Sequence, residues 1–212
     1  GDGGVQQVLE FQGFVLGRKR DAAGRHFVII GGDPVSRSEL AVSLGCEFIS
    51  SWMGVYFISA VKLLEDPGRL GRVCRTSPQQ RGAVQCLIVD DLNVELPIPR
   101  ETKEERKSQR AAYARQLASP LEAGAAEGPA AAARQAQRII DLVDEVERLR
   151  EEFGHVSTIW VLTGKQPPAG AADPNDRVWK WEAFIEKLLA PTPSQGHLTV
   201  IHLQPPAPPE VS

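Results

Sequence analysis

Two hydrophobic spacings take turns along the chain. Short runs rich in β-branched and aromatic residues, bounded by glycine, proline or charge, predict strands at His26–Ile30, Val84–Val89, Val156–Leu162 and Leu198–Leu203. Longer stretches, with apolar residues every three or four positions, predict helices. The strongest is Arg134–Phe153, where Ile139, Leu142, Val143, Val146 and Leu149 form one stripe and Gly154 follows as a natural C-cap. Trp181, Phe184, Ile185, Leu188 and Leu189 mark another, capped by Asn175 or Asp176. Ser36-Arg37-Ser38-Glu39 is a capping-box pattern that opens a helix running to Leu44. The spacing of Phe48, Ile49, Trp52, Met53, Tyr56, Phe57, Ala60, Val61 and Leu64 predicts one largely buried helix, stopped by Asp66-Pro67-Gly68. Residues 66–82 read as a polar loop.

Three segments fall outside this alternation. Residues 5–31 read as an N-terminal β-hairpin, with the basic turn Gly17-Arg18-Lys19-Arg20 at its tip. Residues 97–133 combine the mixed-charge run Arg100–Arg110 with an Ala/Gly-rich stretch split by Pro120 and Pro129. That composition predicts an insertion from the core, a mobile charged helix followed by a flexible segment. Residues 204–212 form a proline-rich tail of extended type. From Val84 onward the order is strand, insertion, helix, strand, loop, helix, strand. Such βα alternation predicts an α/β domain with a mostly parallel central sheet and helices on both faces. One domain over residues 1–212 accommodates it.

Composition narrows the partners. The 212 residues are 42% hydrophobic and 24% charged, with a net charge of -3, so no global field favours nucleic acid or an anionic membrane. Nucleic acid would have to bind through local basic segments. No run reaches the ~18 apolar residues of a membrane span. Cys46, Cys74 and Cys86 are odd in number and lack CxxC spacing, which suits reduced thiols in an intracellular protein. The chain opens Gly-Asp-Gly-Gly without a methionine, as a piece of a longer protein would, so no weight falls on a missing targeting signal.

The candidate chemistry centres on Gly82–Glu95. Its apolar strand runs into the paired acids Asp90 and Asp91, at the strand end where open α/β sheets place ligands. Gly31-Gly32-Asp33-Pro34, between a strand and a helix start, has the outline of a phosphate-binding turn. It carries no GxGxxG, and no Walker lysine follows. No GxSxG and no Cys/His pair at recognisable spacing supports nucleophilic catalysis.

The run His155–Leu203 resembles the later half of von Willebrand factor A-type domains, in which a strand ending Leu-Thr-Asp-Gly leads through a polar loop to a helix and a strand. Cys86–Glu95 is similar to that family's first strand, which ends in an Asp-x-Ser-x-Ser metal motif. The likeness spans residues 84–203 and implies a Mg²⁺-type site with Asp90, Asp91 and Asn93 as candidate ligands. Aligning the motif's aspartate with Asp91 puts Asn93 and Glu95 at the serine positions, and Thr163-Gly164-Lys165 replaces Thr-Asp-Gly. A lost carboxylate and a gained cation weaken such a site. The resemblance therefore implies a degenerate domain that binds other protein subunits without a cofactor. A rival resemblance is to flap-endonuclease-type nucleases, in which a strand-end aspartate binds Mg²⁺ and a basic helical arch follows. It implies a metal-dependent phosphoesterase or nuclease using Asp33, Asp90, Asp91 and Glu95. No second acidic motif stands downstream to complete a two-metal cluster. The leading expectation is a non-enzymatic scaffold or adaptor domain of an intracellular complex.

Overall fold

The computed structural model describes residues 9–13, 24–74, 83–118, 128–150, 154–164, 174–189 and 198–203. In chain order these give α1 (residues 9–13), β1 (His26–Gly31), α2 (Pro34–Ser50), β2 (Gly54–Ser59), α3 (Ala60–Glu65), α4 (Arg69–Cys74), β3 (Val84–Asn93), α5 (Lys103–Ala118), α6 (Gly128–Arg148), β4 (Ser157–Thr163), α7 (Pro174–Leu189) and β5 (Leu198–Leu203). The five strands form one sheet in the order β2-β3-β4-β1-β5, and every pairing is parallel. The expected α/β architecture, a parallel sheet wrapped by helices, is what the chain adopts.

Successive strand residues serve different cores, because side chains alternate across a sheet. Phe27 and Ile29 of β1, Cys86 and Ile88 of β3 and Ile159 and Val161 of β4 pack beneath α2, with Ala41, Leu44 and Phe48. Val28, Ile30, Leu87, Val89, Trp160 and Leu162 point the other way, into a larger core closed by α3, α4, α6 and α7. Strands buried on both sides read as continuous apolar runs, which is why the sequence marked them so clearly. The stripe on α6 also lies where its period placed it, with Ile139, Leu142, Val143 and Val146 buried.

Four expectations are corrected. The N-terminal hairpin does not form: residues 9–13 are helical, and β1 uses both of its edges on β4 and β5, leaving none for a hairpin partner. The basic turn at Gly17–Arg20 lies outside the described residues. The single helix over Phe48–Leu64 is three elements: α2 ends at Ser50, β2 crosses Gly54–Ser59 and α3 begins at Ala60. Val55, Tyr56, Phe57 and Ile58 are β-branched or aromatic, and pairing with β3 lets that preference override the helical spacing. The polar loop over residues 66–82 contains α4, which buries Leu70 and Cys74; residues 75–82 are not described.

The fourth concerns the charges of residues 97–133. The expected charged helix forms as α5, but its charge is not all left in water: Arg106 and Arg110 fasten it to α6. Arg106, only 2% exposed, donates to Asp144 (2.8 Å) and Glu147 and to the Glu101 carbonyl (2.7 Å). Arg110 reaches Asp141 (2.6 Å) and Asp144 (3.0 Å). A buried guanidinium persists because its donors are this fully occupied. Residues 119–127 are not described.

Candidate functional site

Parallel strands present their carboxyl ends together, and β1 and β4 send their connections in opposite directions across the sheet. That switch point is where open α/β sheets bind ligands. The β1–α2 turn stands there, beside the ends of β3 and β4. The turn is tight. Gly31 has φ 76° and Gly32 φ 60°, and a β-carbon on Gly31 would lie 2.4 Å from the Leu203 carbonyl oxygen. Both the backbone angle and the neighbouring strand require glycine at Gly31.

Asp33 is the N-cap of α2, and Pro34 fills the first helical position, where the missing N–H costs nothing. Its carboxylate accepts from the Ser36 backbone N–H (3.0 Å) and from the Ser36 hydroxyl. These bonds hold the Asp33 carboxyl below its ordinary range. The cap thus lies one turn ahead of the capping box expected at Ser36. A helix N-terminus attracts an anion, and here the chain's own carboxylate occupies that position.

Arg37 lies behind the turn, 7% exposed, and its Nη1 donates to the Gly31 (2.9 Å) and Gly32 (3.0 Å) carbonyls. Burial draws its pKa down, while Asp33, Asp91 and Asp90 oppose that pull. Ser38, one residue on, donates to Asp90 Oδ1 at 3.0 Å. Asp91 adopts the left-handed φ of 61° where the β3–β4 register shifts, and accepts from the Thr163 hydroxyl at 2.6 Å. Asn93 Oδ1 accepts from the Glu95 N–H at 2.8 Å.

The candidate residues therefore gather at one end of the sheet without converging on a common point. Among the described residues, no group of three or more His, Cys, Asp or Glu is placed to hold a metal ion. The set Asp90, Asp91 and Asn93 does not fit a Mg²⁺ cage. A hard cation wants about six oxygens around one centre, and these three side chains turn to Ser38, Thr163 and the Glu95 amide. A groove of about 500 Å³ between α5 and α6 takes in Asn93 and Glu95 but neither Asp90 nor Asp91.

One signal at this turn goes beyond the glycines. Gly31-Gly32-Asp33-Pro34-Val35-Ser36-Arg37-Ser38 has the spacing of the phosphate-binding pattern G-x-x-x-x-G-K-[ST], with serine for the second glycine and arginine for the lysine. In that pattern the terminal serine and a strand-end aspartate share the magnesium of a bound nucleotide, and Ser38 and Asp90 stand in the same relation. The backbone departs from it. A phosphate cradle needs outward-facing amides between the glycines, and here α2 already begins at Pro34. Arginine takes the lysine's place but folds onto the turn's own carbonyls.

No family model matches the sequence, and no curated protein matches it. Among solved structures the chain is similar to the DnaC helicase loader, at 14% identity and a TM-score of 0.45, over 93% of this chain and 89% of that one. No described helix is long and apolar enough to cross a membrane.

Proposed function

We propose that this chain is a non-enzymatic protein-interaction domain, a scaffold or adaptor subunit of an intracellular multiprotein assembly. One observation carries the reading. At the head of the sheet, the three aspartates that phosphate or metal chemistry would use are each bound within the chain: Asp33 to Ser36, Asp90 to Ser38 and Asp91 to Thr163. Arg37, which stands at the lysine's place in the phosphate-binding pattern, donates to the turn's own carbonyls. The metal-free form of the von Willebrand-like resemblance implies the same role. The two most buried-in basic residues of α5, Arg106 and Arg110, face acids of α6, so the segment offers nucleic acid only Lys103, Lys107 and Arg115 on its exposed side.

The test is thermal unfolding with and without millimolar Mg²⁺-ATP, Mg²⁺ alone and Mn²⁺ alone. A ligand bound only by the native state at a thousand times its Kd adds ~4 kcal/mol. No shift is expected. A rise of several degrees that Asp90→Asn abolishes, or phosphodiester cleavage lost with Asp90→Asn, would restore the phosphoesterase reading.

A further inference from the structure

We infer that the outer edge of β2 is the seat of a partner's extended strand, apolar on the face that meets α2, which adds to the sheet as a sixth strand. The inference rests on the interaction reading above and names the chemistry of the partner. β2 ends the sheet order; one edge pairs with β3, and the other pairs with no strand among the described residues. Such an edge offers a row of main-chain donors and acceptors.

The layer above β2 is apolar on the side of that empty lane. A β-carbon on Gly45 of α2 would meet Ile88 Cδ1 at 2.7 Å and Val55 Cγ1 at 3.6 Å, so α2 crosses over the β2–β3 pair. One flank of α2 faces β1: Glu47 accepts from Gln12 of α1, and Phe11 of α1 packs on Phe27 of β1 at 4.8 Å. The opposite flank therefore looks toward the β2 edge. It carries Val35, Val42 and Ile49, spaced by seven residues so that they line up along the helix, and all three are exposed. Below it, Phe57 of β2 lies opposite Ile88, on the α2 side of the sheet, and is 46% exposed.

Apolar side chains thus border this edge on the α2 side, which sets the composition of the partner strand's face there: apolar at alternate positions. The exposed apolar area, on the order of 500 Å², falls short of the ~800 Å² per partner of a standard interface between folded domains. It suits a single strand that draws the rest of its affinity from main-chain pairing.

The experiment uses the whole chain and three synthetic peptides: a short Val/Ile run flanked by lysines, the same peptide with a central proline, and a Leu/Lys amphipathic helix. The first should bind and slow amide exchange across residues 54–59 by about tenfold or more. The proline peptide should not bind, because it cannot complete the ladder. Phe57→Asp should weaken binding more than about tenfold; should that variant fail to fold, Ile49→Lys on the exposed flank reads the same contact. Preference for the helical peptide, protection elsewhere, binding indifferent to both substitutions, or a dimer of the chain that Phe57→Asp dissociates would each overturn the proposal. If the peptides fail while Mg²⁺-ATP leaves the melt unmoved, only the strand-addition inference falls.

Discussion

The head of the sheet and the β2 edge are built from opposite materials and have opposite states of completion. The head holds the residues that draw a chemist's eye, three aspartates, an arginine, two serines, a threonine and a glycine turn, and apart from Arg37 Nε, which has no partner among the described residues, they are bound to one another. The edge holds side chains with no chemistry of their own, Val42, Ile49 and Phe57, and leaves them exposed. Binding capacity lies where valence and apolar surface remain unmatched, and residue type alone does not say where that is. A carboxylate that already accepts two donors is a piece of structure. A half-exposed phenylalanine beside an edge that no described strand covers is an unfinished contact.

This contrast fails if substitutions at the head leave stability unchanged. The largest effect is expected from Arg37→Met, which keeps the volume but takes the buried guanidinium from the Gly31 and Gly32 carbonyls. Losing a buried charged donor of this kind costs about 3 kcal/mol, or roughly 6–12 °C in Tm for a chain of this size. An arginine kept for a ligand would be replaced with little change in the melt. Differential scanning calorimetry decides between them.

Asp33→Ala comes next. Removing the cap of α2 should lower Tm by roughly 2–4 °C. It also vacates the anion position, so pyrophosphate should raise the variant's Tm and leave the wild type unmoved; equal response in both would mean that Asp33 does not fill that position. The cap has a pH signature. The Asp33 carboxyl titrates below its unfolded range, so its contribution is present above about pH 4 and fades as pH falls through the folded value. Melts below about pH 4 should therefore narrow the gap between wild type and Asp33→Ala.

At the edge the expectation reverses. Ile49→Lys should change stability by less than ~0.5 kcal/mol, as exposed positions do, while removing strand-peptide binding. A large loss of Tm would show that something within the chain already covers that flank.

The smallest effect belongs to Glu182 of α7, whose Oε2 is buried without a partner among the described residues. Burial, then the nearby Glu186, raises its pKa. With the folded pKa above the unfolded one, stability is full below the unfolded value and declines as pH rises through the folded one. Glu182→Gln should gain a degree or so at pH 7 and nothing near pH 4, in paired thermal melts.

How much of this was legible depended on the range of the interaction. Strands β3 and β4 were plain because burial on both faces writes an unbroken apolar run. The interleaved charges of residues 100–115 suggested a solvated helix, since nothing local marks Arg106 for Asp144 and Glu147, 38 and 41 residues away. The head of the sheet was half legible. Asp90 and Asp91 announced a strand end, and the Gly31–Ser38 spacing carried a phosphate-loop signal. Whether the turn opens its amides or closes on Arg37 depends on where α2 begins, and Asp33-Pro34, a capping residue before a proline, marks that start one turn ahead of Ser36.

The sequence by itself determined the elements whose local pattern is complete: β1, β3, β4, β5, the first half of α2, the charged helix α5, the stripe of α6 and α7, and through their βα order a parallel sheet. Tertiary structure decided what no local pattern holds. It placed β1 in the middle of the sheet, which removed the hairpin; it drew Gly54–Ser59 out of a helical pattern into the edge strand; and it chose Ser38 and Thr163 as partners for Asp90 and Asp91. The reason is physical. Hydrophobic period records which side of an element leaves water, a local quantity, whereas strand order and hydrogen-bond partnership are set between residues that meet only after the chain has crossed the sheet.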